Sequence, residues 1–229
     1  MLSLLLIGFL IGMRHALEAD HVTAVASLVS RRGNRNDALK QGAVWGLGHS
    51  ITLFLFGSVA ILIDTAISEQ LAATLEFAVG LMLIFLGFDV LRRLYKERVH
   101  FHLHSHDQNT QHFHAHSHAG EKEHGTSKHQ HAHGFPKQAL LVGLMHGMAG
   151  SAALIILTLH TVQSPITGLL YLLFFGMGSI IGMAALSVII AIPLRYSCNG
   201  LTWLYNGLQA IVGIATLSLG TLTAINYLT

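Results

Sequence analysis

Six apolar segments account for most of the chain, and short polar connections or one long connection separate them. The segments cover approximately residues 2–29, 42–63, 70–94, 138–161, 166–194 and 201–228. Each reaches the roughly 20 residues that a helix needs to cross the hydrocarbon core of a bilayer. None alternates as a transmembrane β-strand does, and only helices and closed barrels satisfy the backbone in lipid. The pattern predicts an all-α polytopic membrane protein with six transmembrane helices.

Composition agrees with this prediction and excludes several kinds of protein. Hydrophobic residues make up 52% of the chain and charged residues only 10%, whereas a soluble domain carries about 25% charged residues. The single cysteine, Cys198, excludes an intrachain disulfide and a cysteine-based zinc or copper(I) site. No ATP-binding motif is present. We expect no enzymatic activity, no organic cofactor and no nucleic-acid partner.

The positive charges are distributed to one side of the predicted bundle. Of the 13 Lys and Arg residues, all but Arg14 lie in the first, third and fifth connections. The positive-inside rule places those connections in the cytoplasm. We therefore expect a multi-pass protein of the cell (inner) membrane, with both termini outside and the long third connection inside.

The two halves of the chain resemble each other weakly. Gly12 to His15 matches Gly143 to His146, Trp45 to Ile51 matches Phe175 to Ile181, and Glu76 matches Gln209, at offsets of 131, 130 and 133 positions. Because each half has three segments, the second must be inverted relative to the first, a recurring plan in secondary transporters. The predicted organisation is a first repeat over 1–95, a loop over 96–136 and a second repeat over 137–229.

The first apolar segment carries five ionisable side chains within eight residues: Arg14, His15, Glu18, Asp20 and His21. Such groups are expensive inside a membrane and mark ion or substrate pathways. Imidazoles with a carboxylate suit divalent Ni, Co or Zn. The alternatives are a polar loop between two short segments and a signal peptide, although no Lys or Arg precedes the apolar run.

An ideal helix places His15, Glu18 and His21 within an arc of about 120°, with Asp20 outside it. Either the helix is distorted here or Asp20 reaches a different partner. Arg14 is expected to pair with Glu18 one turn later. His15 and His21 are the leading ligands, with Asp20 or Glu18 completing the set.

Later segments add further candidates. His49 lies between Gly46-Leu47-Gly48 and Ser50 and is predicted to be a third ligand, the alternative being a structural histidine. His146 is a weaker candidate of the same kind. Ser50, Glu76 and Asp89 are predicted to surround the site, and the two carboxylates could accept hydrogen bonds from ligating histidines.

The loop contains twelve of the 17 histidines. His-rich tracts are typical of metal binding, and little in this loop can be buried, so we expect disorder without metal. The loop histidines predicted to capture metal are His100, His102, His104, His106, His112, His114, His116, His118, His124, His129, His131 and His133.

Two motifs resemble those of the nickel/cobalt transporter (NiCoT) family. Arg14-His15-Ala16, followed by Ala19-Asp20-His21-Val22, is similar to that family's signature Arg-His-Ala-x-Asp-Ala-Asp-His-Ile, with Glu18 in place of an aspartate. Leu47-Gly48-His49-Ser50 resembles its second motif, and Leu86-Gly87-Phe88-Asp89 the start of a third. The short chain and its Leu144 to Gly150 segment resemble the UreH-type branch, which is implicated in nickel supply.

The resemblance implies transport of Ni²⁺, Co²⁺ or both as substrate, most simply uptake that supplies nickel enzymes. It also implies a cytoplasmic metallochaperone or urease accessory proteins as partners. Efflux of the same metals is the first alternative, because a His-rich cytoplasmic loop also occurs in related exporters. A membrane-anchored metal store or chaperone that acts through the loop is the second alternative.

Overall fold

The computed structural model describes residues 1–30, 35–63, 68–97, 100–106, 110–116, 136–149, 164–198 and 202–228. Within these ranges the chain forms seven helices and one β-hairpin. The elements are α1 (Leu2–His15), α2 (Ala19–Val29), α3 (Arg35–Ile63), α4 (Glu69–Glu97), β1 (His100–His106), β2 (Thr110–His116), α5 (Lys137–Ala149), α6 (Pro165–Cys198) and α7 (Thr202–Leu228).

Four of these helices, α3, α4, α6 and α7, are long and apolar enough to cross a membrane. Helices α1 and α2 together make a fifth candidate span, bent by 57° at the break between them. The predicted segment 138–161 is described over its first half only, as α5. A polytopic helical membrane protein is therefore confirmed, whereas the sixth span rests partly on residues outside the described ranges.

The first span breaks at the ionisable motif. Helix α1 ends at His15, the backbone turns through N–H bonds from Leu17 to the Arg14 carbonyl and from Glu18 to the His15 carbonyl, and α2 begins at Ala19. Glu18 has an extended backbone (φ −64°, ψ 147°). The helix is therefore distorted at this motif, which is one of the two possibilities that the helical geometry left open.

Helices from the two halves of the chain pack against each other. Helix α6 lies against α1 and α3, α5 against α3, and α7 against α4, while α2 contacts α6 and α7. Glycines make the closest approaches possible. A Cβ on Gly12 would collide with the Phe175 carbonyl, and a Cβ on Gly143 would collide with the Trp45 carbonyl. These contacts bring α1, α3, α5 and α6 together around the motif.

The hairpin lies in the His-rich loop, outside the helical bundle. Strands β1 and β2 pair antiparallel, with His100 opposite His116, His102 opposite His114 and His104 opposite His112. The alternating His-x-His pattern has the two-residue period of a β-strand. The expected disorder of the loop without metal stays a prediction.

Candidate metal-ion site

Four histidines from four helices meet at the break in the first span, and we call them the four-histidine cluster: His15, His21, His49 and His146. Their exposed fractions are 8%, 1%, 0% and 1%. Ring centroids are 4.3 Å apart for His15 and His21, 4.2 Å for His21 and His146, and 5.1 Å for His21 and His49. His21 is therefore the central member, with the other three rings around it.

Two carboxylates hold three of these rings. His15 Nδ1 lies 2.8 Å from Glu18 Oε1, and His21 Nδ1 lies 2.9 Å from Asp20 Oδ1. The second oxygen of Asp20, Oδ2, lies 2.8 Å from His146 Nε2. An ionised carboxylate only accepts hydrogen bonds, so each of these ring nitrogens donates. In the neutral imidazoles of His15 and His21, Nε2 then keeps its lone pair, which is the state required of a metal ligand.

Ring nitrogens of three histidines lie close together. His15 Nε2 lies 3.3 Å from His49 Nε2, and His21 Nε2 is buried without a hydrogen-bond partner among the residues that the structure describes. One donor atom from each of these three histidines lies within 4.8 Å of the others. An ion that holds imidazole nitrogens at about 2.0–2.1 Å keeps neighbouring ligands about 2.9–3.4 Å apart, depending on its geometry. His15 Nε2 and His49 Nε2, at 3.3 Å, already have such a separation, and a shift of the His21 ring towards them would let the three coordinate one ion.

A second group of possible ligands overlaps the first. Asp20, His21 and His146 also place one donor atom each within 4.8 Å of one another. Asp20 is partly exposed, at 35%, and its two oxygens are engaged by His21 and His146. The two groups share His21, so an ion could pass between them by exchanging a few ligands.

Two aromatic side chains enclose the cluster, a role that the sequence reasoning did not assign to them. Phe175 lies against His15, with ring centroids 5.3 Å apart, and Trp45 lies against His21 and His146 at 5.5 Å and 5.9 Å. Both are fully buried. Two features of the sequence could have indicated this role. Trp45 and Phe175 occupy matching positions in the two halves, and Trp45 lies one helical turn before His49.

The predicted surrounding residues lie elsewhere. Ser50 Oγ donates to the Gly176 carbonyl at 3.0 Å, and Asp89 pairs with Arg93 one turn later at 3.3 Å. Glu76 is exposed on α4. The carboxylates that contact the rings of His15 and His21 are Glu18 and Asp20, which are close in sequence to the rings they hold. The ring-orienting role of Glu76 and Asp89 stays a prediction.

Arg14 also has a different place from the predicted one. Its side chain is exposed, and the ion pair of Glu18 within the described ranges is with His15. The break after His15 explains the difference, because an i, i+4 pair needs an unbroken helical turn.

The loop histidines are covered only in part. Seven of them lie in β1 and β2, where the backbone alone is described, and His118 and the four that follow lie outside the described residues. Their role in metal capture stays a prediction.

Comparison with known proteins gives a family for this architecture. The profile of the NicO family, described as high-affinity nickel-transport protein, matches residues 1–226. The chain is 35% identical to the urease accessory protein UreH of Bacillus sp. (strain TB-90) over 96% of its own length and 90% of that protein. No solved structure matches the chain.

More distant relatives differ in their names. A protein of Methanocaldococcus jannaschii, whose name describes a nickel/cobalt efflux system, is 24% identical over 79% of this chain and 72% of its own length. The chloroplast protein FOR GROWTH AND FERTILITY 2 of Arabidopsis thaliana is 26% identical over 80% of this chain and 45% of its own length. The predicted resemblance is confirmed: the chain belongs to the NicO family of high-affinity nickel-transport proteins and is a metal transporter rather than an enzyme.

Proposed function

We propose that this protein carries Ni²⁺, and Co²⁺ as a second substrate, across the cell membrane by binding the ion at the four-histidine cluster. The observation that carries the proposal is the nitrogen His21 Nε2, which is buried and has no partner within the described ranges. Leaving a buried polar atom unpaired costs about 1–3 kcal/mol. That cost is understandable where the atom exists to bind a transported ion.

The proposed ligands are His15 Nε2, His21 Nε2 and a ring nitrogen of His49. Glu18 and Asp20 hold the first two rings, as carboxylates commonly do for histidines that bind metals. Asp20 and His146, with His21, form the adjoining group to which the ion moves next. Ligand types do not separate Ni²⁺ from Co²⁺, since preference among divalent metals depends on geometry.

We further propose six spans arranged as a 3+3 inverted repeat of 1–95 and 137–229, joined by the loop 96–136. Equivalent contacts on the two sides support this. The approach of Gly12 to the Phe175 carbonyl has its counterpart in that of Gly143 to the Trp45 carbonyl. His15 and His146 occupy equivalent positions in the two halves, so the cluster lies where the repeats meet, as in other transporters of this plan.

The third pair of helices shows the same correspondence. A Cβ on Gly87 would lie 2.6 Å from the Leu217 nitrogen, and a Cβ on Gly220 would lie 2.7 Å from the Ile84 nitrogen. The two contacts involve corresponding positions, because Gly220 follows Gly87 by 133 positions and Leu217 follows Ile84 by the same 133. Such symmetry would let the two halves exchange conformations and open the cluster to each side of the membrane in turn.

The proposed direction is uptake, with the His-rich loop in the cytoplasm and both termini outside. The UreH relative, named as a urease accessory protein, supports a role in supplying nickel to enzyme assembly. On this proposal the partners that receive the ion are a cytoplasmic metallochaperone or urease accessory proteins. Efflux is the second candidate, because the name of the Methanocaldococcus relative describes it.

Accumulation of radioactive nickel in cells tests both directions. The strains express the wild type, His21→Ala, a deletion of residues 100–133, or Thr221→Val as a control whose hydroxyl donates to the Leu217 carbonyl of its own helix. Wild-type accumulation above the empty vector, abolished in His21→Ala and kept in the control and the loop deletion, is the expected result. Accumulation below the vector establishes efflux, and wild-type activity in His21→Ala refutes transport through the cluster.

A further inference from the structure

A row of polar side chains leaves the cluster along α2. Asp20 is followed on the same helix by Thr23, Ser27 and Ser30, and spacings of three and four residues put them on one face. This face lies against α7, which presents Thr216, Gln209 and Tyr205 to it. We call these six residues the polar seam: Thr23, Ser27 and Ser30 on one side, and Tyr205, Gln209 and Thr216 on the other.

The middle of the seam is buried and joined across the helices. Ser27 Oγ lies 3.0 Å from Thr216 Oγ1, and the two residues are 2% and 0% exposed. Thr216 has a single hydroxyl proton, which it donates best to the Val212 carbonyl at 2.7 Å. Ser27 is therefore the donor to Thr216, and the Thr23 carbonyl, 3.3 Å from the Thr216 hydroxyl, keeps at best a weak bond.

Both ends of the seam are connected. At the cluster, Thr23 Oγ1 donates to the Asp20 carbonyl at 3.1 Å. At the other end, the Ser30 carbonyl lies 3.3 Å from Gln209 Nε2 and 3.4 Å from the Tyr205 hydroxyl, both of which donate to it. Oxygen atoms thus follow one another from the metal ligands to the last turn of α2.

The length of the seam matches half a membrane. Ten residues separate Asp20 from Ser30, which is about 15 Å along a helix. The hydrocarbon core is about 30 Å thick. With the cluster at the midplane, the seam spans one leaflet and ends where the arginine-rich first connection begins.

Packing alone explains the seam less well. The hydroxyls of Thr23, Ser30 and Thr216 bond carbonyls of their own segments, as those of Thr221 and Thr223 do. The seam differs in its contacts between helices, from Ser27 to Thr216 and from Gln209 and Tyr205 to the Ser30 carbonyl. These contacts bring hydroxyl and carbonyl oxygens of two helices into one line that starts at the cluster. Oxygen ligands can replace the hydration waters of a divalent cation during passage.

We propose that the polar seam is the path of the divalent cation between the four-histidine cluster and the α2 end of the membrane. This inference rests on the proposed function, since it assumes that the cluster is the binding site. Hydroxyl and carbonyl oxygens of Thr23, Ser27, Ser30 and Thr216 hold the partly dehydrated ion as α2 and α7 separate slightly. The side chains of Gln209 and Tyr205 close the far end.

Cysteine accessibility tests whether the seam opens to water. In a Cys198→Ser background, Ser27→Cys and Thr216→Cys are treated with a charged, membrane-impermeant methanethiosulfonate; Ile214→Cys, 57% exposed on the outer face of the same helix, is the control. Because only a hydrated thiolate reacts, we expect the seam cysteines to react at least about tenfold faster than the control. We also expect Ni²⁺ to slow them. Rates equal to the control, or unaffected by Ni²⁺, would overturn the proposal.

Transport with separate binding measurements distinguishes a path from a structural contact. Thr216→Val should lower nickel transport about tenfold or more, while Ni²⁺ affinity of the purified protein stays within about twofold. Thr216→Ser should restore transport, and Thr221→Val should have no effect. Equal losses of stability, binding and transport in Thr216→Val would show that the seam only packs helices and would refute the proposal.

The proposed function fails by a different result. If His49→Ala and His21→Ala keep full Ni²⁺ binding and transport, the cluster is not the binding site, whatever the seam variants do. If those variants lose binding while Thr216→Val transports as the wild type does, the cluster stands and the seam proposal alone is wrong.

Discussion

Asp20→Asn tests how the cluster is organised. The Asp20 carboxylate accepts three hydrogen bonds, from His21 Nδ1 at 2.9 Å, from the His21 backbone N–H at 2.9 Å and from His146 Nε2 at 2.8 Å. Asparagine has nearly the same shape, but one of its two oxygens is replaced by a donor. One of the two rings must then turn over or change its tautomer, and the charge that favours both donors is lost.

The size of the effect follows from these bonds. A hydrogen bond to a charged group contributes about 1.5–3 kcal/mol, and a neutral one about 0.5–1.5 kcal/mol. Losing the charge therefore costs about 1 kcal/mol for each of the two ring bonds, or about 2 kcal/mol in ligand orientation. Because 1.4 kcal/mol is about a factor of ten, Ni²⁺ affinity should fall about 30-fold. Loss of a group that orients a metal ligand generally costs about 10–100-fold.

Equilibrium dialysis of detergent-solubilised protein against Ni²⁺ measures this directly. Asp37→Asn is the matched control, because Asp37 is a partly exposed carboxylate in the first turn of α3. Thermal unfolding without metal verifies that both variants remain folded. A change below about threefold in Asp20→Asn would refute the orienting role, and a loss beyond about 1000-fold would show that Asp20 itself is a principal ligand.

Two further expectations concern the same region, and a third concerns a control position outside it. Glu18→Gln removes one charge-assisted bond at a side chain that is 56% exposed, so Ni²⁺ affinity measured by dialysis should fall only about fivefold; a loss as large as that of Asp20→Asn would contradict the geometry. Gly143→Ala places a methyl group against the Trp45 carbonyl and should lower the free energy of unfolding by about 1–3 kcal/mol, together with transport. Gly207→Ala, which meets nothing within 4 Å, should leave both intact or raise stability by up to about 1 kcal/mol in a denaturation assay.

The sequence by itself determined the class of the protein and predicted the histidines that the structure brings together. Long apolar segments need no tertiary information to be read as membrane helices, because their length is set by the bilayer. Ionisable residues within such a segment are equally informative, since membrane burial is too costly without a function. His15, His21 and His49 were found on these grounds, and the motifs around them agree with the family that the comparisons establish.

The tertiary structure decided how these residues are connected. Only the break after His15 shows why Asp20 can face the cluster, since on a continuous helix it would point away from His15 and His21. His146 was a weak candidate because a lone histidine in an apolar segment has no sequence signal for its partner. The close approach of α5 to α3 at Gly143 places it beside Asp20.

The positions of Glu76 and Asp89 relative to the cluster also depend on the tertiary structure. Sequence reasoning placed Glu76 and Asp89 around the site because they are carboxylates in a neighbouring span, but helix rotation decides which side a residue faces. The polar seam depended on packing in the same way. Spacing shows that Thr23, Ser27 and Ser30 share a face of α2, and only the position of α7 shows that Thr216 lies against that face. Residues that are close in sequence can be recognised as a motif from the sequence alone. Contacts between distant segments depend on how whole helices pack, which the sequence does not show directly.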